Sequence, residues 1–244
     1  MPGVKRRLPP IIQGLAAAAF AAALPLLIVT STVRWIAGDA AYYRHGFRAF
    51  DAADRTGLPL AELDRAGQEI IDYFENDADS LRIVVTVNGA EEPLFGEREV
   101  AHMRDVKALM RALFRVNEAA LVVVLGYIAL AVLWSGERSI RGLAKLALAG
   151  LGAGAAAVGV IAVFAVTGFD QAWTTFHEIA FRNDLWRLDP DTDRLIQMFP
   201  EPFWQQTTYL AGALIGIQAA VIAAAAGLYL LRTRRAGNEA ASVG

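Results

Sequence analysis

Charge-free apolar runs alternate along this chain with polar, charge-dense segments. The runs are Leu8 to Val33, Ala119 to Gly136, Leu146 to Phe169 and Pro202 to Leu231. A bilayer core takes about 20 apolar residues of helix. Each run meets that length or comes close, and the shortest is preceded by a helical pattern from Met103 to Asn117. The pattern predicts four transmembrane helices. Buried helices of a soluble protein rarely stay free of charge for so long. The first run follows a basic start, Lys5-Arg6-Arg7. It exceeds the roughly 7–15 residues of a signal-peptide core, and no small-x-small cleavage pattern follows, so it reads as a retained anchor. The predicted division is a first span with a basic N-terminus over 1–34, a polar cap over 35–115 and a second span over 116–135. A third span covers 143–169, a second polar segment 170–205, a fourth span 206–231 and a tail 232–244.

The first polar segment has its own periodicities. Leu60, Leu63, Gly67, Ile70, Ile71 and Phe74 share one helical face, with Glu62, Asp64, Arg65, Glu69 and Asp72 off it. Residues 81–87 then switch to a strand pattern, and Asn88-Gly89 is a hairpin turn signal. Pro93 confines the returning strand to an edge. From Glu97 the pattern is helical again, with His102, Val106, Leu109 and Leu113 on one face and Asp105 one turn from His102. Lys107, Arg111 and Arg115 suit the membrane-facing end of that helix. The fold class expected is an all-α membrane protein, a four-helix bundle with a small extracytoplasmic α+β cap. Gly150 and Gly154 in the third span have the spacing of a close helix contact.

Charge placement adds an orientation. Lys5, Arg6 and Arg7, then Arg138, Arg141 and Lys145, then Arg232, Arg234 and Arg235 mark the ends expected to be cytoplasmic. The two acid-rich polar segments then face outward, as in a multi-pass protein of a bacterial inner membrane. The net charge of −2 hides this asymmetry. There is no Cys, which excludes a disulfide framework, a thiolate nucleophile and Cys metal ligands.

Candidate chemistry gathers in the polar segments. Of three histidines, His45, His102 and His177, the last two stand beside spans with carboxylates close in sequence. Such a histidine is either a polar surface residue or an acid–base group. His177-Glu178 begins a zinc-protease motif that fails at Phe181. Asp189, Asp191 and Asp193 resemble a calcium loop that fails at Arg194 and Pro200, so they are expected to form a turn and cap a helix starting near Arg194. No metal and no cofactor is expected. Trp173, Trp186, Trp204, Phe176, Phe181, Phe199 and Phe203 fit an interfacial aromatic belt. Asp184 is either solvated between Arg182 and Arg187 or orients a histidine. Ser31 and Ser80 lie in no nucleophile-elbow motif. Acyl chemistry here would use His as a base for attack by the substrate's own nucleophile.

The stretch GEREVAHMRDVK, followed about 75 residues later by FHEIAFRNDLWRLDPDTDRLIQMFPEPFW, resembles the bacterial lipoprotein intramolecular transacylases. The resemblance implies a four-span bundle with an extracytoplasmic cap. It implies an enzyme moving the sn-2 acyl chain of a diacylglyceryl lipoprotein to the α-amino group of its N-terminal Cys, giving the lyso form. The family's functional histidines fall on His102 and His177, and its motif positions Asp105, Asn183, Asp184 and Trp186 are present. The implied partners are diacylglyceryl lipoproteins and membrane lipid, with no nucleic acid. An α-amino group is largely protonated at neutral pH, and His has the pKa to take its proton. Asn183 or a second, protonated His could stabilise the oxyanion. Which histidine is base and which acid stays open. The alternative is a non-enzymatic membrane protein that binds a partner through its acidic cap, which requires His102 and His177 to lie far apart. A transporter would need charged or broken spans, and none is seen.

The orientation is testable by cysteine labelling in a chain with no native Cys. A Cys at Asn88 should react with an impermeant reagent in intact cells, and one at Arg235 should not. Outside labelling of Arg235→Cys would reverse the topology.

Overall fold

The computed structural model describes residues 9–87, 89–135 and 137–242. The basic residues Lys5, Arg6 and Arg7, the hairpin residue Asn88 and the side chain of Arg138 lie outside the described part. In chain order the elements are α1 (Pro10–Gly38), α2 (Ala40–Ala49), α3 (Ala52–Thr56), α4 (Leu60–Glu75), β1 (Val84–Val87) and β2 (Ala90–Pro93). They continue with α5 (Glu97–Ser135), α6 (Glu137–Thr167), α7 (Phe169–Ala180), α8 (Arg194–Met198) and α9 (Glu201–Ser242). Helices α1, α5, α6 and α9 each contain a stretch long and apolar enough to cross a membrane. The protein is an all-α membrane bundle with a small α+β unit.

Contacts divide the chain into one unit of Met1–Ser31, Val116–Val160 and Leu214–Gly244 and another of Thr32–Arg115 and Ile161–Ala213. The first is the four-helix bundle. Phe20, Leu24 and Ile28 of α1 meet Ala120 and Val124 of α5, Ala147 and Leu151 of α6, and Ile215 and Ala219 of α9. Small residues set the α1–α6 distance. A Cβ on Gly150 would land on the Ala21 carbonyl, and one on Gly154 on the Pro25 ring. Glycine here lets two backbones approach where apolar burial does not drive association within lipid. A polar tie the sequence did not announce joins α1 to α5. Buried Asn117 donates to Thr30 Oγ1 at 3.0 Å and Ser31 Oγ at 2.8 Å.

The second unit has its own core. The apolar face of α4 buries Leu63, Ile70, Tyr73 and Phe74 against Tyr43 and Phe47 of α2. Gly67 allows the Phe47 ring to pack directly on the α4 backbone. The β1–β2 hairpin is antiparallel, with Val84 opposite Pro93 and Val87 opposite Ala90. Val85 points into the core while Val84 faces out, the period of two that strand pleating imposes. Gly89 takes the left-handed conformation of the tight turn, with φ of 84°. Leu195, Met198, Phe199 and Phe203 close the core from the C-terminal motif.

Lys107 and Arg111, on the length of α5 that precedes its apolar run, are engaged within the α+β unit. Lys107 is buried, donates to Asn76 Oδ1 and the Ala78 carbonyl, and lies over the Tyr73 ring at 3.9 Å. Arg111 pairs with Asp77 and the Asn76 carbonyl. The exposed carbonyls after α4 attract them, because a helix C-terminus is a locus of partial negative charge. Of the seven aromatic residues expected to form an interfacial belt, Phe181, Phe199 and Phe203 are instead buried within the protein.

Replacing Gly150 by Val should force α1 and α6 apart and destabilise the bundle by about 1–3 kcal/mol, the usual cost of overpacking. Thermal unfolding in detergent should show the loss, whereas Val at Gly152, which faces open space, should leave the midpoint unchanged.

Candidate functional site

Two helices of the α+β unit present the histidines. α5 carries His102 near its N-terminus, in the charged part before its apolar run, and α7 carries His177 in its last turn. Both side chains are buried, His102 at 7% and His177 at 6% exposure. Their ring centroids are 6.3 Å apart. Phe181 touches both, at 5.1 Å from His102 and 5.6 Å from His177. Around His177 the remaining walls are Trp173 at 4.4 Å, Trp186 at 4.9 Å and Phe176 at 5.2 Å. Trp173 is held by stacking on Trp204 at 5.1 Å. His45 stands apart, exposed on α2.

The hydrogen bonds are unequal. His177 Nδ1 is 2.8 Å from the Trp173 carbonyl oxygen. A carbonyl only accepts, so Nδ1 carries the proton and Nε2 of the neutral ring keeps its lone pair. Among the described residues the buried His102 Nδ1 has no hydrogen-bond partner. Both rings are harder to protonate than an ordinary histidine. Burial is the main cause for each, and the neighbouring His177 adds to it at His102. Asp105 works the other way, yet His102 is pushed down to about 4. Both rings are therefore neutral at physiological pH.

The acidic and amide residues expected to serve the histidines are all nearby but differently engaged. Asp105 lies one turn from His102 and accepts from Asn183 Nδ2 at 2.8 Å. Asn183 Oδ1 in turn accepts from the Leu185 amide at 3.1 Å. The Asp184 carboxylate pairs with Arg187 at 3.1 Å, and its carbonyl accepts from Arg98 at 2.7 Å. Among the described residues no carboxylate hydrogen-bonds to either imidazole, and of the two alternatives for Asp184 the structure shows the one in which it pairs with an arginine. The physical reason is competition. Asn183 and Arg187 offer these carboxylates donors outside the apolar enclosure, where a charge stays hydrated. Of the four motif positions Asp105, Asn183, Asp184 and Trp186, only Trp186 packs on a histidine ring among the described residues.

Two further residues hold this loop: Arg98, which the sequence did not single out, and Glu99, an acid suited to the start of the helix that begins at Glu97. Arg98 sits one turn before His102 and grips the Asp184 carbonyl. Glu99 is buried, with one oxygen accepting from the Gly96 amide and the other from the Leu195 amide, both at 2.7 Å. The first bond is half of a capping box at the start of α5, and the spacing Gly96 to Glu99 was a readable signal. The second caps α8 in place of Asp193, whose side chain instead accepts from the Asp189 amide at 2.7 Å. Burial raises the Glu99 pKa, against the two amides that lower it. Among the described residues no three His, Asp or Glu side chains group as metal ligands.

The family model described as lipoprotein intramolecular transacylase Lit matches residues 18–204. A solved structure of the membrane-integral lipoprotein intramolecular transacylase Lit from Bacillus cereus superposes with a TM-score of 0.72 at 18% identity, covering 93% of this chain and 99% of that one. Structures of the Bacillus cereus protein with a histidine replaced by arginine or by alanine superpose with TM-scores of 0.71 and 0.68. Their identities are 17% and 18%, over 93% and 92% of this chain and 95% and 96% of theirs. At such identity the likeness is one of fold. No curated protein sequence matches the chain.

Glu99→Ala would strand two amides, at Gly96 and Leu195, that the carboxylate now serves. The expected cost is about 1–3 kcal/mol for each amide left unsatisfied, read as a fall in the thermal midpoint. Glu99→Gln keeps an acceptor and should lose less. Equal losses for the two variants would deny the carboxyl this bridging role.

Proposed function

The chain belongs to the lipoprotein intramolecular transacylase family, an acyltransferase family acting on lipoproteins, and from that premise we propose a specific reaction and a division of labour between its histidines. The substrate is a diacylglyceryl lipoprotein in a bacterial inner membrane, met on the extracytoplasmic side of a chain whose two termini are cytoplasmic. The sn-2 acyl chain moves to the α-amino group of the N-terminal Cys, leaving an N-acyl, S-monoacylglyceryl product. The observation that carries the division of labour is the bond from His177 Nδ1 to the Trp173 carbonyl. It leaves His177 Nε2 as the free base.

The amine nitrogen attacks the sn-2 carbonyl carbon, and His177 Nε2 takes the proton that nitrogen sheds. His102 has a buried Nδ1 with no acceptor, so its proton is better placed on Nε2, where it can be donated to the oxyanion. Collapse breaks the bond from carbonyl carbon to glycerol oxygen, and His177 returns its proton to that oxygen. One ester becomes one amide and one alcohol, with nothing else consumed. Nucleophile and ester share a molecule, so proximity supplies much of the rate. Attack at sn-2 closes a ring one atom smaller than attack at sn-1. No enzyme nucleophile is needed, which suits a chain without Cys. Asp105, Asn183, Asp184 and Arg98 hold the loop that brings Trp186 to His177.

Mass spectrometry of lipoprotein N-termini, in a host lacking other N-acylating enzymes, tests the reaction. Expression of the wild-type chain should convert diacyl to lyso forms, and an unchanged diacyl form would reject the reading. His177→Ala should lower the rate by about 10²–10⁴-fold as a lost base, and His102→Ala by about 10²–10³-fold as a lost oxyanion donor. Ser80→Ala should cost little.

The pH dependence follows from the lowered histidine pKa values. A histidine depressed below its ordinary value keeps its lone pair to lower pH, so base loss lies on the acid side of about 6.5. Between pH 6.5 and 8 only the substrate amine, with pKa about 7.7–8.0, should titrate. kcat/KM should then rise with unit slope and level near pH 8. A second inflection near pH 6.5 would show a histidine titrating normally and refute the buried, neutral pair.

A further inference from the structure

Proton uptake by His177 would create a cation in an apolar enclosure, and the usual stabiliser is missing. Among the described residues no carboxylate hydrogen-bonds to this ring. Asp105 is bonded to Asn183, and Glu178 and Asp184 both pair with Arg187. What the imidazole does face is aromatic. The Trp186 ring lies 4.9 Å away, tilted by 32° from the imidazole plane. The Trp173 ring stands at 4.4 Å and 71°, and the Trp173 carbonyl accepts the Nδ1 proton. An indole face carries negative electrostatic potential and attracts cations, most strongly where water is excluded.

Resting on the assignment of His177 as base, we propose that the Trp186 indole face, backed by Trp173, stabilises the transient His177 imidazolium in the role a carboxylate fills in other acid–base sites. Trp186 acts through His177 and not on the substrate. The advantage over a carboxylate is selectivity for the moment of charge. A carboxylate would raise the resting pKa and leave a larger fraction of the rings already protonated before reaction. An aromatic face stabilises the cation while tolerating the neutral ring in an apolar site. The burial-depressed basicity of His177 is consistent with a resting neutral base. Arg187 also lies over Trp186, its guanidinium 4.8 Å from the ring. Its charge is offset by Asp184 at 3.1 Å and Glu178 at 3.8 Å, so the indole is fixed in place with little competing field.

The test is isosteric. Tryptophans with one, two and three ring fluorines, placed only at position 186, weaken the face potential without changing the shape. Single-turnover transfer is followed in vesicles carrying a synthetic diacylglyceryl lipopeptide. The rate should fall stepwise along the series, roughly tenfold in all, with log rate linear in the ring's cation affinity and KM unchanged. The same series at Trp204, which stacks on Trp173 but not on His177, should be flat. A flat series at position 186 in an active enzyme would overturn this proposal and leave the transacylase reading standing, as would equal slopes at both positions. A wild-type chain without transfer activity would overturn both.

Discussion

Two imidazoles share one dry enclosure, and they cannot both be charged there. With ring centres 6.3 Å apart and little water to screen them, protonating one makes protonating the other costly. Burial presses both toward neutrality before any substrate arrives. This constraint organises the rest of the α+β unit. It explains why the carboxylates of Asp184 and Asp105 are turned outward onto Arg187 and Asn183, and why the walls about His177 are Trp and Phe. A polar lining would let the pair titrate near pH 6.5 and leave a fraction of the molecules already protonated at neutral pH.

Holding that enclosure together takes more side-chain bonds than the apolar contacts alone would suggest. The loop after α7 has little regular structure, so its position depends on Arg98, Asp105 and Glu99, all within the first turns of α5. One helix therefore carries both a catalytic candidate and the anchors for the segment that shields its partner. Arg98 and Asp105 stand one turn either side of His102, so helical spacing alone places them on its face.

Much of this was legible in the sequence. The four spans follow from apolar length, since the bilayer leaves the chain few alternatives. The hairpin and the α4 face follow from periods of two and 3.6. His102 and His177 stood out because so few histidines exist and each lies beside carboxylates. What could not be read was which donor each carboxylate would choose. Asp105 is one helical turn from His102, yet it bonds a side chain 78 positions away. The tautomer of His177 depends on a backbone carbonyl one turn back, which no residue pattern advertises. Nor could it be read that Lys107 and Arg111 would donate to the carbonyls that follow α4, where a helix C-terminus carries partial negative charge.

The unpartnered Nδ1 of His102 fits the same logic. A buried polar atom without a hydrogen bond costs about 1–3 kcal/mol, so its persistence calls for a reason. The simplest repair would be Asp105 turning inward to accept from it. That bond would raise the basicity of His102 and draw a proton onto it, leaving a resting cation 6.3 Å from His177. The cation would oppose proton uptake at His177 in the step where the proposed chemistry needs it. Asn183 holds the Asp105 carboxylate on the other side of that choice. The cost of the orphaned nitrogen is thus set against the ability of the neighbouring ring to act as a base, and the apolar core beneath α4 and α8 can absorb a penalty of that size.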